Sequence, residues 1–211
     1  LAVGLPLAWA GKQKESFKNY LMEKTNLEFE FKKIQYHVRI SDVKVFSQGM
    51  AAVMGRDLKG FNMVADIGNG TMNIMQINNE RPLEKSLVTE KYGVNQCVKE
   101  ICRELAKDCG NDFSEELIEP LIRYGVDNRT DDVAKTVMRI ATKYTKEIWN
   151  KLLDNGYKEG ITRLYVVGGG GCLLKHFSDS QEKTGVEFID DICANAKGYE
   201  MIANQLLKYE R

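Results

Sequence analysis

The sequence predicts an α/β protein in which a mixed β-sheet is flanked by helices. Two apolar strands, at about 61–67 and 71–78, are separated by a short glycine-containing turn, which is typical of an antiparallel hairpin. A further apolar strand at 161–167 runs into four glycines and a helix, which is typical of a parallel crossover. Between them, apolar residues recur at helical spacing over about 131–155. Strands of both directions with helices between them predict the mixed sheet.

Composition limits the classes of function. The chain has 211 residues, enough for one large domain or two small ones with a buried core. Lys+Arg and Asp+Glu both number 30, so the net charge is zero, which disfavours general electrostatic attraction to nucleic acid or to an anionic membrane. A local basic patch remains compatible with this balance. No apolar run reaches the roughly 18 residues that a membrane-spanning helix needs.

Five elements are predicted before the hairpin from their apolar patterns and closing residues. In chain order they are a strand at about 1–6, an amphipathic helix at about 12–24, an alternating segment over 27–40 that is one strand or two with a break at Lys32-Lys33, a strand at 43–46, and a short helix over 47–55 closed by glycine.

The elements after the hairpin are mainly helical. In chain order they are a third strand near 83–88, helices at about 93–108, 114–124 and 131–155, the strand at 161–167, a helix that begins near Cys172, a short strand around 186–188, and a final helix at about 195–209.

The cysteines and histidines do not indicate a metal site. There are five cysteines and two histidines, and no Cys-x-x-Cys pair is present. Zinc sites in proteins usually carry such spacings, so a zinc site is disfavoured. Reduced cysteines packed inside a cytoplasmic protein are the expected state.

The turn of the hairpin carries the most informative residues. An acid, Asp66, ends the first strand, and Gly68-Asn69-Gly70-Thr71 connects it to the second. Glycine lets the main chain approach an anion closely, and successive N–H groups can form a concave nest for it. An ordinary hairpin turn explains the same residues, because Asn-Gly between apolar runs is first of all a turn signal.

A second glycine segment, Gly168–Gly171, lies between a buried strand and a helix N-terminus. Backbone can approach a flat or anionic ligand closely there, and ligands of such sheets bind outside the carboxyl ends of the strands. A tight strand-to-helix crossover is the structural alternative. Neither Gly-Lys-Ser/Thr nor Gly-x-Gly-x-x-Gly is present, which disfavours a P-loop enzyme and a dinucleotide-binding fold.

In their order along the chain, these motifs resemble those of the actin, heat-shock-chaperone and sugar-kinase ATPases, and in detail those of the ParM/StbA-type plasmid-segregation actins. The resemblance covers almost the whole chain. The matching segments are 3–7, 45–52, the second phosphate loop at 66–73, the adenosine loop at 168–171, and Asn195-Ala196-Lys197-Gly198-Tyr199. It departs from the family at Asn73, where Asp is frequent, and at Gln48, where several relatives have Glu.

The resemblance implies an actin/ribonuclease H-like ATPase fold, represented mainly by its second lobe. Residues 1–58 would form the end of the first lobe and a connecting helix, and 59–211 the nucleotide-binding second lobe with a helical insert at about 92–130. The first phosphate loop of the family is expected in residues that would precede Leu1.

The resemblance also implies a set of site residues for ATP, or GTP, with Mg²⁺. Catalysis would use Gln48 to orient the attacking water and Asp66 to hold the metal through water. The β- and γ-phosphates would accept hydrogen bonds from Gly68, Asn69, Gly70 and Thr71. The sugar and base would contact Gly168, Gly169, Gly170, Gly171, Cys172 and Arg123.

The implied activity is nucleotide hydrolysis coupled to self-association into filaments for plasmid partition. The expected partners are copies of the chain and a DNA-bound adaptor protein, with no direct contact to nucleic acid or membrane. Three alternatives stay open: a non-polymerising ATPase of chaperone or cell-division type, a small-molecule kinase of the same fold, and a nucleotide-free scaffold.

Overall fold

The computed structural model describes residues 1–110, 112–127, 129–180 and 182–209, without the side chains of residues 7, 8, 10, 109 and 209. The chain divides into two compact units. The first consists of Leu1–Gly55 and Cys193–Arg211, and the second of Arg56–Ile192. The C-terminal segment therefore groups with the first unit, whereas the sequence placed it in a lobe that runs from 59 to 211. Of the described helices, none is both long enough and apolar enough to cross a bilayer.

The described residues form ten strands and six α-helices. The strands are β1 Ala2–Leu5, β2 Asn26–Phe31, β3 Ile34–Arg39, β4 Lys44–Ser47, β5 Phe61–Ile67, β6 Met72–Asn78, β7 Arg81–Pro82, β8 Val88–Glu90, β9 Arg163–Val167 and β10 Val186–Ile189. The helices are α1 Leu7–Met22, α2 Val94–Cys109, α3 Glu115–Tyr124, α4 Asp132–Asp154, α5 Gly171–Phe177 and α6 Ala194–Tyr209.

The first unit is built on a parallel pair of strands, β1 and β4. The buried side chains Leu5, Val43 and Val45 form a small core with Phe17 and Leu21 of α1 packed against it. Helix α1 begins at Leu7, directly after Pro6, rather than near residue 12 as predicted. Pro6 stands at the N-cap, where its missing N–H costs nothing, and this position allows the early start.

The alternating segment of the first unit forms two strands, the second of the two alternatives that the sequence left open. β2 and β3 pair in antiparallel register, with Phe31 opposite Ile34. Lys32 and Lys33 both have positive φ, 52° and 64°, as a two-residue hairpin turn of the primed type requires.

The predicted helix over 47–55 is wrong. Only a single 3-10 turn, Ala51–Val53, forms in this segment. Gly49 and Gly55 lie in the left-handed region, with φ values of 84° and 83°, so helical backbone ends at both positions. The N–H of Gly49 donates to the Asn195 side chain at 2.9 Å and not to a helical carbonyl.

The motif at the start of α6 packs against this same segment. A Cβ on Gly198 would lie 1.9 Å from the Ala51 carbonyl oxygen, so only glycine fits there. Tyr199 stacks on Phe46 with 5.8 Å between ring centroids. Residues 195–199 therefore hold the segment around Gln48 within the first unit.

The second unit contains a mixed sheet in the order β10-β9-β5-β6-β7, with β8 also paired to β6. β5 and β6 are antiparallel, and β9 and β10 are parallel to β5. The predicted mixed sheet is confirmed.

The single third strand predicted at 83–88 is wrong, because two short strands and a 3-10 turn at Glu84–Ser86 occupy this region. Ser86 Oγ accepts a hydrogen bond from the Gln76 N–H at 2.9 Å and donates one to the Leu83 carbonyl oxygen. These side-chain bonds stand in place of the backbone bonds that a longer strand would make.

One face of this sheet packs against helices α2–α5. Its inward residues alternate with those of the other face, as a pleated sheet requires. The core on the helical face includes Met63, Ala65 and Ile67 of β5, with Ile101 of α2 and Ile118 of α3. The helices that the sequence assigned to an insert thus contribute to the main core of the unit.

Candidate functional site

The two glycine segments lie together at the carboxyl ends of β5 and β9. These strands are adjacent and parallel, with Asp66 in register with Val167, so the residues that follow each strand meet at one edge of the sheet. Gly168 has φ 86°, and a Cβ on it would lie 2.6 Å from the Ile67 carbonyl oxygen and 3.0 Å from Asp66 Oδ1. The edge therefore combines a carboxylate with closely approaching glycine backbone.

The turn after β5 presents unused N–H groups. Its own closing bond is donated by the Gly68 N–H to the Thr71 carbonyl oxygen at 2.8 Å. Within the described part of the chain, no acceptor lies in hydrogen-bonding geometry to the N–H groups of Asn69, Gly70 or Thr71. Three successive amides at the surface form the kind of nest that binds an anion.

One of the predicted donors already makes a hydrogen bond within the turn. Gly68 was expected to donate to phosphate, but its N–H is engaged in the turn. A hydrogen already directed at a carbonyl 2.8 Å away is a poor partner for a second acceptor. Of the four predicted phosphate donors, Asn69, Gly70 and Thr71 are those whose N–H groups have no acceptor among the described residues.

The start of α2 holds the turn in this orientation. The N–H groups of Val94 and Asn95 donate to the carbonyl oxygens of Gly68 and Asn69 at 3.1 and 2.9 Å. The carbonyls of the turn therefore face the helix, and its remaining amides face away. A Cβ on Gly93 would lie 2.3 Å from the Asn69 oxygen, so this close approach requires glycine.

Gln96 is a positioning residue that the sequence reasoning missed. Its Oε1 accepts from the Gly93 N–H at 3.0 Å, and its Nε2 donates to the Gly70 carbonyl oxygen at 2.9 Å. Glutamine three residues after a helix N-cap is a capping-box signal that the sequence contained. The side chain links the helix cap to the turn.

Behind α2, two buried groups act as structural supports. The Tyr144 hydroxyl donates to the Gly93 carbonyl oxygen at 2.8 Å, and burial raises the pKa of this tyrosine. Burial raises the pKa of the Cys97 thiol to about 12. Both side chains are neutral near pH 7, so they hold α2 against α4 without adding charge to the site.

Asp66 is a buried acid, 8% exposed, and lies at the centre of this edge. Its cross-strand neighbour Asn73 is also buried, and Asn73 Oδ1 accepts from Thr89 Oγ1 at 2.8 Å. Among the described residues, no three His, Cys, Asp or Glu side chains converge as a metal cage would require. A single carboxylate fits the mode in which Mg²⁺ is held by one or two acids, waters and substrate phosphates.

The second glycine segment has one open position. A Cβ on Gly170 would lie 2.1 Å from Ile67 Cγ2, and the Gly170 N–H donates to the Ile67 carbonyl oxygen at 2.9 Å. Packing against the hairpin therefore accounts for glycine at 168 and 170. At the exposed Gly169, a Cβ would meet no atom of the described residues within 4 Å, so packing within the described structure does not explain that glycine.

The remaining predicted residues lie on other elements. Gly171 and Cys172 begin α5, with Gly171 buried and Cys172 half-buried. Arg123 is exposed near the end of α3. Gln48 is half-buried in the first unit, and its N–H donates to the Leu5 carbonyl oxygen at 2.9 Å. The roles assigned to these residues remain predictions.

The chain matches the family model described as "Archaeal actin homologue MreB-like, C-terminal". The match covers residues 64–179, which include both glycine segments and α2. No curated protein sequence matches the chain.

Solved structures show the same fold at low sequence identity. The archaeal actin homologue Ta0583 in complex with ADP aligns with a TM-score of 0.78 at 19% identity, over 97% of this chain and 71% of that one. An Alp12 filament structure aligns with a TM-score of 0.70 at 17% identity, over 98% and 68% of the two chains. Bacillus thuringiensis ParM with ATP gives 0.69 at 16% identity, over 99% and 67%. The chain therefore has the actin-like fold.

Proposed function

The chain belongs to the MreB-like C-terminal family of archaeal actin homologues. We propose that it binds and hydrolyses ATP with Mg²⁺. The observation that carries the proposal is the turn that follows the buried Asp66, where the N–H groups of residues 69–71 have no acceptor among the described residues. Donors for phosphate and an acid for its metal are the parts that phosphoryl transfer needs most.

Each part of the edge has a role in this proposal. The amides of Asn69, Gly70 and Thr71 bind the β- and γ-phosphates, and Asp66 orients the water shell of the metal. When bound, Mg²⁺ neutralises charge on the phosphates. Gly169 leaves room for the nucleotide sugar and α-phosphate, because no atom of the described residues lies within 4 Å of the position that a Cβ would take. Cys172 and Arg123 contact the base.

The second part of the proposal is self-association into filaments. A filament structure of Alp12 and structures of ParM are among those with this fold, which supports it. We propose that the filament serves plasmid segregation and that its partner is a DNA-bound adaptor protein. The net charge of zero agrees with contact to DNA through an adaptor and not through the chain itself.

Titration of a fluorescent ATP analogue tests the nucleotide part of the proposal. The wild-type protein is expected to bind the analogue with Mg²⁺, and unlabelled ATP and GTP compete to show the base preference. Asp66→Asn keeps the size of the side chain and removes its charge, so hydrolysis is expected to fall at least about a hundredfold. Asp154→Asn, at the exposed end of α4, is the matched control and is expected to behave as wild type.

Two results would overturn this part of the proposal. One is a wild-type protein that binds neither nucleotide with Mg²⁺. The other is an Asp66→Asn variant that hydrolyses ATP as fast as the Asp154→Asn control, which would leave the acid as a structural part of the turn.

A further inference from the structure

One face of α4 holds the segment 90–93, which leads from β8 into α2. Three side chains of α4, spaced three and four residues apart and therefore on one face of the helix, each form a hydrogen bond with a different residue of this segment. The bonded pairs are Lys151 Nζ with Glu90 Oε2 at 3.0 Å, Glu147 Oε2 with the Tyr92 hydroxyl at 2.8 Å, and the Tyr144 hydroxyl with the Gly93 carbonyl oxygen at 2.8 Å. The segment therefore runs along α4 in the opposite direction, and we call the three α4 side chains the anchor residues.

Ring contacts join these three hydrogen bonds. The Tyr92 ring stacks on Tyr144 with 5.3 Å between centroids, and Lys151 Nζ lies 4.6 Å from the centroid of the Tyr92 ring. Stacked aromatic rings and a cation over a ring both stabilise a contact beyond the area that it buries. The segment is held through its backbone, a ring and a charge, which restricts its movement along α4.

The segment 90–93 in turn positions the turn at 68–71. Gly93 is the N-cap of α2, and a Cβ on it would lie 2.3 Å from the Asn69 carbonyl oxygen, so the two backbones are in close contact. The next two N–H groups, those of Val94 and Asn95, donate to the carbonyl oxygens of Gly68 and Asn69. A shift of Gly93 along α4 would therefore move both carbonyls of the turn.

The bonds from α2 also orient two peptide planes of the turn. In a trans peptide, a carbonyl and the N–H that follows it lie in one plane and point in opposite directions. The Gly68 carbonyl shares its plane with the Asn69 N–H, and the Asn69 carbonyl shares its plane with the Gly70 N–H. Because α2 binds both carbonyls, both N–H groups point away from the helix and are available to an anion.

We propose that the anchor residues of α4 position the N–H groups that bind the β- and γ-phosphates, and that Tyr144 is the main positioning residue among them. The inference rests on the proposed nucleotide site, because it assigns what holds the phosphate donors of that site in place. Tyr144 acts through the backbone of Gly93 and not on the nucleotide itself. Only 5% of Tyr144 is exposed, so little water competes for its bond to Gly93.

Two tyrosine-to-phenylalanine substitutions isolate this bond. Tyr144→Phe removes the hydroxyl and keeps the ring that stacks on Tyr92. Tyr157→Phe is the matched control, because the buried Tyr157 hydroxyl has no hydrogen-bond partner among the described residues. The Tyr157 ring also packs against α4, with its centroid 5.5 Å from that of Trp149. Each variant loses one buried hydroxyl next to the same helix, so a difference between them reports the bond to Gly93.

Binding of ATP and of AMP gives the functional readout, measured by competition with a fluorescent ATP analogue in the presence of Mg²⁺. AMP has no β- or γ-phosphate, so the donors at 69–71 do not contribute to its binding. In Tyr144→Phe, the Kd for ATP is expected to rise about tenfold, the equivalent of about one hydrogen bond, while the Kd for AMP changes less than about twofold. Tyr157→Phe is expected to bind both nucleotides as wild type does.

A general loss of structure would weaken the binding of both nucleotides alike, so the ratio of the two Kd values separates positioning from folding. A Kd for ATP in Tyr144→Phe that is unchanged, or that rises no more than the Kd for AMP, would overturn the proposal.

A second readout does not depend on nucleotide. Amide hydrogen exchange of Val94 and Asn95, followed by NMR in the nucleotide-free protein, is expected to be at least about tenfold faster in Tyr144→Phe than in wild type, relative to exchange at Ile148 within α4. Tyr157→Phe is expected to match wild type. Equal relative exchange in all three proteins would overturn the positioning role. Wild-type protein that binds neither nucleotide but shows the expected exchange pattern would overturn the proposed function and leave the hold of α4 on the turn supported.

Discussion

At the scale of single residues, the glycines of the site have different causes. Gly168 and Gly170 are required by contact with Ile67 and Asp66, whereas nothing in the described structure fills the space beside Gly169. A run of four glycines in the sequence carries no sign of this difference. The contacts separate glycines that serve packing from one that is available to a ligand.

Alanine substitutions at 169 and 170 are expected to change different properties, ATP affinity at 169 and stability at 170. Gly170→Ala forces a methyl group against Ile67, so the free energy of unfolding should fall by about 1–3 kcal/mol. Gly169→Ala has room for its methyl and should leave Tm within a few degrees of wild type while weakening ATP binding. Thermal unfolding and fluorescent-nucleotide titration of both variants measure this. Unchanged ATP affinity in Gly169→Ala would exclude Gly169 from the nucleotide contact.

At the scale of elements, helix ends set the geometry around the site. The start of α2 orients the turn through bonds from its first N–H groups, and α4 supports α2 through Tyr144. The start of α4 is in turn capped by Asp131, whose Oδ1 accepts from the Ala134 N–H at 3.0 Å. Capping residues satisfy donors that the helix itself leaves unpaired.

The cap of α4 predicts a pH-dependent stability. Hydrogen bonds from Arg129 and the Ala134 N–H lower the pKa of Asp131 from its ordinary 3.8 to about 2. A pKa that is lower in the folded state adds stability above about pH 4, which is lost as the pH falls towards 2. Asp131→Ala should therefore lower Tm at pH 7, and its difference from wild type should narrow between pH 5 and pH 3.

Asp131→Asn is the control for this prediction. Asparagine caps helices well but carries no charge, so its advantage in Tm over Asp131→Ala should stay constant from pH 7 to pH 3. A wild-type advantage over Asp131→Ala that is also constant over this range would show that the charge of Asp131 does not contribute.

At the scale of the whole molecule, nucleotide and assembly are linked in the proposal. Sedimentation and light scattering are expected to show polymer with ATP and Mg²⁺, and loss of polymer as ATP is converted to ADP. Asp66→Asn is expected to slow the loss of polymer, because it hydrolyses ATP more slowly, whereas Asp154→Asn is expected to behave as wild type. Wild-type protein that binds ATP and remains monomeric would contradict the filament and favour a non-polymerising ATPase of the same fold.

The sequence by itself determined the elements whose signals are local. The hairpin of β5 and β6 and the helices α2–α4 follow from apolar periodicity and turn residues within a few positions of one another. These signals, with the order of the glycine motifs, were enough to predict the mixed sheet and the actin-like fold. Asp66 and both glycine segments were also identified as candidates from the sequence.

Only the tertiary structure decided how distant residues combine. The grouping of Cys193–Arg211 with the first unit, the loss of a helix at 47–55, and the link from Gln96 to Gly70 all depend on contacts between segments far apart in sequence. The engagement of the Gly68 N–H and the bond from Tyr144 to Gly93 depend on hydrogen-bond geometry that residue types leave open. Periodicity reports which face of an element is apolar, but not which partner each polar group finds.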